Sequence, residues 1–186
     1  AGLYGLYAPR LQVTEGIMND YAAYVRAALE AGADKAEVFG IDDIVFDPRT
    51  VLKCRFGCDN YGKHYFCPTD PRMKDIEQSI RIFRHYKGGI VIRTEDKHSA
   101  QQISLAIERQ AMRDGHYMAL SLSSCDLCKT CACETDRPCP HKSDARPAFH
   151  TVGVDVVSTV AKMGMTMKEE KDGKTVYYWF SAVFID

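Results

Sequence analysis

Eight cysteines fall in two blocks, three between residues 54 and 67 and five between residues 125 and 139, with none elsewhere. No other feature restricts the chain so strongly. Cysteines used as small core hydrophobes follow apolar periodicities, whereas these sit among Gly, Asn, Asp, Lys and Pro. In a reducing compartment ordinary thiols stay reduced, so clustered cysteines in an unexported chain point to metal ligands or redox thiols rather than disulfides.

The remainder must supply the core. With 186 residues, 46% hydrophobic and 26% charged, the length suits one well-packed unit, and a single domain over 1–186 is expected. The 24 Lys+Arg against 25 Asp+Glu give a net charge of -1, which offers nothing global to nucleic acid or an anionic membrane. No apolar run approaches the ~20 residues that span a bilayer. The opening AGLYGLYAPR is broken by Pro9 and Arg10 before it forms a signal-peptide core. The expectation is a soluble cytoplasmic protein.

Ile17, Tyr21, Tyr24, Val25, Ala28 and Leu29 recur at helical spacing, with Gly32 as a stop. AEVFGIDDIVF reads as extended up to Asp47-Pro48, and the first cysteine block, closed by Cys67-Pro68, as irregular. Asp70 is a candidate cap for a second helix with Pro71 in its first turn and Met73, Ile76, Ile80 and Phe83 as its buried stripe. GGIVIRT reads as a strand, Ile103, Ala106, Ile107 and Ala111 mark a helix ending near Gly115, and YMALSLS is another strand. Such a unit is normally a right-handed parallel crossover. A helix over 155–163, capped by Asp155, leads into a terminal strand TVYYWFSAVFI, whose aromatic run fits a sheet buried on both faces. The fold class expected is α/β: a mixed, partly parallel sheet flanked by helices, with two cysteine-rich metal-binding loops following strand ends. If those strands are parallel, the loops face each other.

The second block reads Cys125-x2-Cys128-x2-Cys131-x-Cys133-x5-Cys139-Pro140. Two-residue gaps let successive thiolates reach adjacent irons of one cube, and a later Cys-Pro completes or links clusters in ferredoxin-like proteins. Cys125, Cys128, Cys131 and Cys139 are assigned to one 4Fe-4S cluster, with Cys133 spare or donated to the other site. Zinc is the alternative, although a zinc ribbon shows two separated CxxC pairs rather than an overlapping CxxCxxC.

The first block, Cys54-x3-Cys58-x8-Cys67-Pro68, supplies three ligands. A fourth could come from Cys133, from His64 or from outside, and an open iron could act as a Lewis acid toward substrate. In that case Lys63, His64 or Tyr61 would manage protons. The Cys54–Cys58 gap matches the start of the radical S-adenosylmethionine motif, but the third cysteine comes too late. Lys53, Arg55, Lys63, His64, Lys129, Arg137, His141, Lys142 and Arg146 lie in or beside the blocks, where cations tune a cluster's potential or dock an acidic partner. His141 is a candidate donor to a cluster sulfur. His85, His98, His116 and His150 lack ligand spacing and read as surface or packing residues. Arg146-Pro147 and Gly153-Val154-Asp155 read as pins for the second loop. There is no phosphate loop, GxSxG elbow or HExxH.

CRFGCDNYGKHYFCPTDP, followed by CDLCKTCACETDRPCPHKSDARPAFHTVGVDV, resembles the two signature segments of a microbial family of predicted metal-binding proteins of unknown function. The resemblance implies Cys54, Cys58, Cys67, Cys125, Cys128, Cys131 and Cys139 as ligands and leaves Cys133 outside the pattern. Thr69, Ala148 and Val154 stand where proline, serine and isoleucine are usual.

These readings converge on a protein holding one or two 4Fe-4S clusters in electron transfer or a redox-accessory role, working with a redox partner protein or a small-molecule substrate. The alternatives are an enzyme with an open iron and a structural zinc protein. A homo-oligomer in which the two blocks meet across an interface is compatible with the sequence.

Overall fold

The computed structural model describes residues 20–70 and 75–186. Helix α1 covers residues 20–30, followed by β1 (Lys35–Gly40), α2 (Thr50–Gly57), α3 (Ile76–Phe83), β2 (Gly88–Thr94) and α4 (Lys97–Arg113). Then come β3 (Leu120–Ser123), α5 (Val156–Lys162), β4 (Lys168–Lys171), β5 (Lys174–Tyr177) and β6 (Trp179–Ile185). None of the described helices is long and apolar enough to cross a membrane.

The main sheet has the order β1-β2-β6-β3, and every neighbouring pair is antiparallel. The partly parallel sheet expected from the sequence is therefore not formed. Strands β2 and β3 do run in the same direction on either side of α4, but β6 lies between them. The reason is burial. β2 is buried along its whole length and β6 from Phe180 to Ile185, so both take the two central positions. The partly exposed β1 and the four-residue β3 take the edges.

Alternation along the strands supplies two cores. Ile90, Ile92, Val183 and Ile185 face α1 and α4, meeting Tyr21, Tyr24, Ala28, Ile103, Ile107 and Ala111. Val91, Leu122, Ala182 and Phe184 point the other way, toward Phe83, Phe149, Val152 and Val160. The expected helical stripes are present with two differences: Leu29 and Ala106 are exposed. Ile17, Pro71 and Met73 lie outside the described residues.

Three further expectations are corrected. Helix α3 is capped by Asp75, whose carboxylate accepts the Gln78 N–H at 2.9 Å, while Asp70 belongs to the turn closing the first cysteine block. The extended segment after β1 gives way to a 3-10 turn, Ile41–Asp43. The terminal strand is divided: β4 and β5 form a hairpin around Asp172 and Gly173, both at positive φ, and β6 starts after Tyr178. Tyr177 is accordingly exposed, Trp179 is partly so, and Tyr178 and Phe180 are buried. The hairpin is held to the sheet by Arg93, buried between Asp34 at 2.5 Å, Glu169 at 2.6 Å and the Tyr178 ring at 3.8 Å.

Candidate metal centre

The first cysteine block begins on a helix rather than in an irregular loop. Cys54 lies on α2, Cys58 follows its end, and turns then carry the chain to Cys67. Because β1 is antiparallel to β2, its carboxyl end lies at the edge of the sheet opposite the carboxyl end of β3. Residues 41–49 bring the chain back. The Val45 N–H donates to Thr159 Oγ1 at 3.0 Å and the Asp155 N–H donates to the Val45 carbonyl at 2.8 Å. Phe46 bridges Val154, and Thr50 Oγ1 donates to the His150 carbonyl at 3.1 Å. The two blocks line one cavity even though the strands before them are not parallel, the condition on which the sequence expectation rested.

Beyond β3 the second block runs through turns and the 3-10 segment Ala132–Thr135. Its start is anchored by the Asp126 N–H donating to Gln101 Oε1 at 2.5 Å. Its end is anchored by Arg146, whose guanidinium pairs with the buried Glu108 carboxylate, which also accepts the Ser121 N–H at 2.6 Å. Burial favours neutral Glu108, but Arg146 and the Ser121 N–H outweigh it and hold the carboxyl below its ordinary range. Gly153, at φ +86, brings the backbone so close to α3 that a Cβ there would lie 2.4 Å from Ile80 Cγ1. Asp155 caps α5 as the sequence indicates.

All eight cysteines line one cavity of about 860 Å³, at the upper end of the range for ligand sites. Tyr61, His64, Lys97, His141 and His150 also line it. A smaller neighbouring cavity of about 340 Å³ shares His64, Cys133 and Cys139 with the first and is bordered by Lys63, Arg137 and Lys142. The candidates Tyr61 and His64 thus stand at the thiols, and Lys63 next door.

Two groups of thiols are distinguished by their mutual fields. Burial pushes the Cys54 thiol up to about 11, with smaller contributions from Cys58 and Cys67. Burial also raises Cys128, with Cys131, Cys125, Cys139 and Cys133 adding to it. Unligated Cys54 and Cys128 are thereby shifted toward the protonated form, and ligation there displaces protons. Across the gap, His64 Nδ1 lies 3.5 Å from Cys131 Sγ, and Asn60 Nδ2 donates to Glu134 Oε1 at 3.1 Å. Burial lowers the pKa of His64, opposed by Glu134, and burial likewise lowers that of His150.

The donor set fits a soft, thiophilic metal or an iron–sulfur cluster. Among the described residues, no three His, Cys, Asp or Glu side chains converge tightly enough to hold a metal ion. The thiols ring the cavity wall, and seven of the eight are carried outside α-helices and strands, in turns, irregular segments and one short 3-10 segment. The sequence reading missed Lys97, which approaches Asp126 Oδ1 at 3.7 Å, and Glu134. It also placed His150 at the surface or in packing, away from the cavity it lines. Lys97 starts a helix after β2, so only the strand order could have brought it here. Of the noted cations, Arg146 is structural.

Fold and site thus define a mixed α/β protein with a thiol-lined cavity assembled from two distant cysteine blocks. Residues 37–185 match the family described as predicted metal-binding protein (DUF2284), and the chain belongs to that family. No match was found among curated proteins or among solved structures.

Proposed function

We propose that the cavity holds 4Fe-4S clusters and that the protein transfers electrons or serves as a redox accessory. The observation that carries this reading is the arrival of all eight thiols at one cavity from blocks more than fifty residues apart. Two four-thiolate zinc sites would use the same number, but the overlapping Cys125-x2-Cys128-x2-Cys131 run favours a cube over separated CxxC pairs. Cys125, Cys128, Cys131 and Cys139 would hold one cluster and Cys54, Cys58 and Cys67 the other, with Cys133 spare or donated to the other site. Bound there, a 4Fe-4S cluster supplies one-electron chemistry at a potential set by charge, hydrogen bonds and exposure.

The chain's own contribution is placement and electrostatics. The His64 N–H donates to Cys67 Sγ at 3.3 Å, a contact that favours a charged sulfur. Lys53, Lys97 and Lys129 border the cavity and offset thiolate charge. A redox partner would approach the side carrying α2, where Phe56 is 80% exposed.

A second reading, an enzyme with an open iron at the first block, is favoured by Tyr61 and His64 lining the cavity beside three cysteines. The electrostatics speak against a thiolate–imidazolium nucleophile, because Cys131 is raised by burial and His64 lowered.

Visible absorption and electron paramagnetic resonance on anaerobically purified protein test the proposal. Cluster protein is brown and bleaches reversibly with dithionite; a colourless, spectroscopically silent zinc protein would sink it. An electron carrier leaves no iron that responds to cyanide or a small thiol, whereas the enzyme reading requires one.

A further inference from the structure

His64 reaches both thiol groups with different parts of one residue. Its backbone N–H donates to Cys67 Sγ at 3.3 Å, and its ring Nδ1 stands 3.5 Å from Cys131 Sγ. The ring meets further neighbours on its other sides. It stacks on Phe66 with centroids 5.4 Å apart and planes 6° from parallel, and its Nε2 lies 4.0 Å from Glu134 Oε1. Glu134 is itself held from the first block by Asn60 Nδ2 at 3.1 Å. The imidazole therefore sits where the two cysteine blocks meet. His98 and His116, by contrast, bond to the Asp126 and Asp186 backbone carbonyls.

We propose that His64 is a positioning residue that couples the two thiol groups, so that ligation at the first changes the affinity of the second. This inference rests on reading both groups as metal sites. Ligation makes Cys67 Sγ an anionic sulfur, and an N–H to a charged acceptor is shorter and about twice as strong as one to a neutral acceptor. Tightening that bond fixes the His64 backbone and, through the stacked ring, holds Nδ1 against Cys131. By linkage, filling the second group must favour the first to the same extent. No bond to carbon forms or breaks; each ligating thiol gives up its proton to solvent.

Cobalt(II) is the probe, because thiolate-to-cobalt absorption reports sulfur ligation directly. The metal-free full-length protein is titrated in four forms: wild type, Cys54→Ala with Cys58→Ala, His64→Leu, and the three substitutions together. With His64 in place, disabling the first group should weaken cobalt binding at the second by about fivefold or more. With His64→Leu, the same change should cost less than about twofold. His64→Asn, whose amide can stand near the position of Nδ1, should restore part of the coupling, which a general loosening of the loops would not allow. Equal losses in both His64 backgrounds, or no loss in either, overturn the inference while leaving the metal sites intact. Absence of thiolate-to-cobalt absorption in the wild type would instead overturn the reading beneath it.

Discussion

The Asp47 N–H donates to the Gly153 carbonyl at 2.8 Å, joining the segment that enters the first cysteine block to the one that leaves the second. With the Phe46–Val154 bridge and the Asp155–Val45 bond, it forms a backbone clasp under the thiol cavity. Two loops far apart in sequence are thereby given one address.

The clasp depends on Gly153. Alanine there must adopt φ +86 and place its Cβ 2.4 Å from Ile80 Cγ1, combining backbone strain with overpacking at about 2–4 kcal/mol. Gly153→Ala should lower the denaturation midpoint accordingly, and adding Ile80→Ala should relieve the steric part alone. An unchanged midpoint would show that the clasp contributes little.

Glu108 and Arg146 give a pH dependence whose sign follows from the depressed carboxyl. A folded pKa below the unfolded one contributes stability above the unfolded value, about 4.3, which is lost as pH falls through that value toward the folded pKa. Urea midpoints from pH 7 down to 3 should show this loss, and Glu108→Gln should flatten it. Arg146→Leu leaves a buried charge without its partner and should destabilise by about 3–5 kcal/mol at pH 7, with the penalty shrinking as Glu108 protonates.

Arg93 is the clip for the β4–β5 hairpin. Arg93→Met removes its bonds to Asp34 and Glu169 while keeping an apolar stem over Tyr178. Amide exchange over residues 168–177 should accelerate by about tenfold, with β2 and β6 still protected. Uniform acceleration throughout the sheet would mean that Arg93 supports the core and not the hairpin.

The strand and helix segments were largely legible because local periodicity carries them, as in GGIVIRT and in Tyr21, Tyr24 and Ala28. Sheet order was not. Whether WFSAVFI inserts between β2 and β3 depends on which strands are buried on both faces, a competition over the whole chain. Helix α2 is not legible in the sequence because TVLKCRFG has no apolar stripe; both Leu52 and Phe56 are exposed. The hairpin does carry a local signal, Asp172-Gly173 between KEEK and KTVY, a strong two-residue turn. At the site, cysteine spacing identified the two groups, and the structure adds their meeting through His64 and Glu134, which no local pattern announces.

If the groups hold separate centres, their loss should be separable. Cys67→Ala should remove about half of the iron and Cys128→Ala the other half, each leaving a folded protein with one remaining paramagnetic signal. Loss of all iron from a folded single variant would indicate one shared cluster.

The most direct measurement is the content of iron, acid-labile sulfide and zinc per chain in anaerobically purified protein. Two cubes predict about eight irons and eight sulfides, and one cube about four of each. About one zinc per chain with no sulfide would contradict the iron–sulfur account.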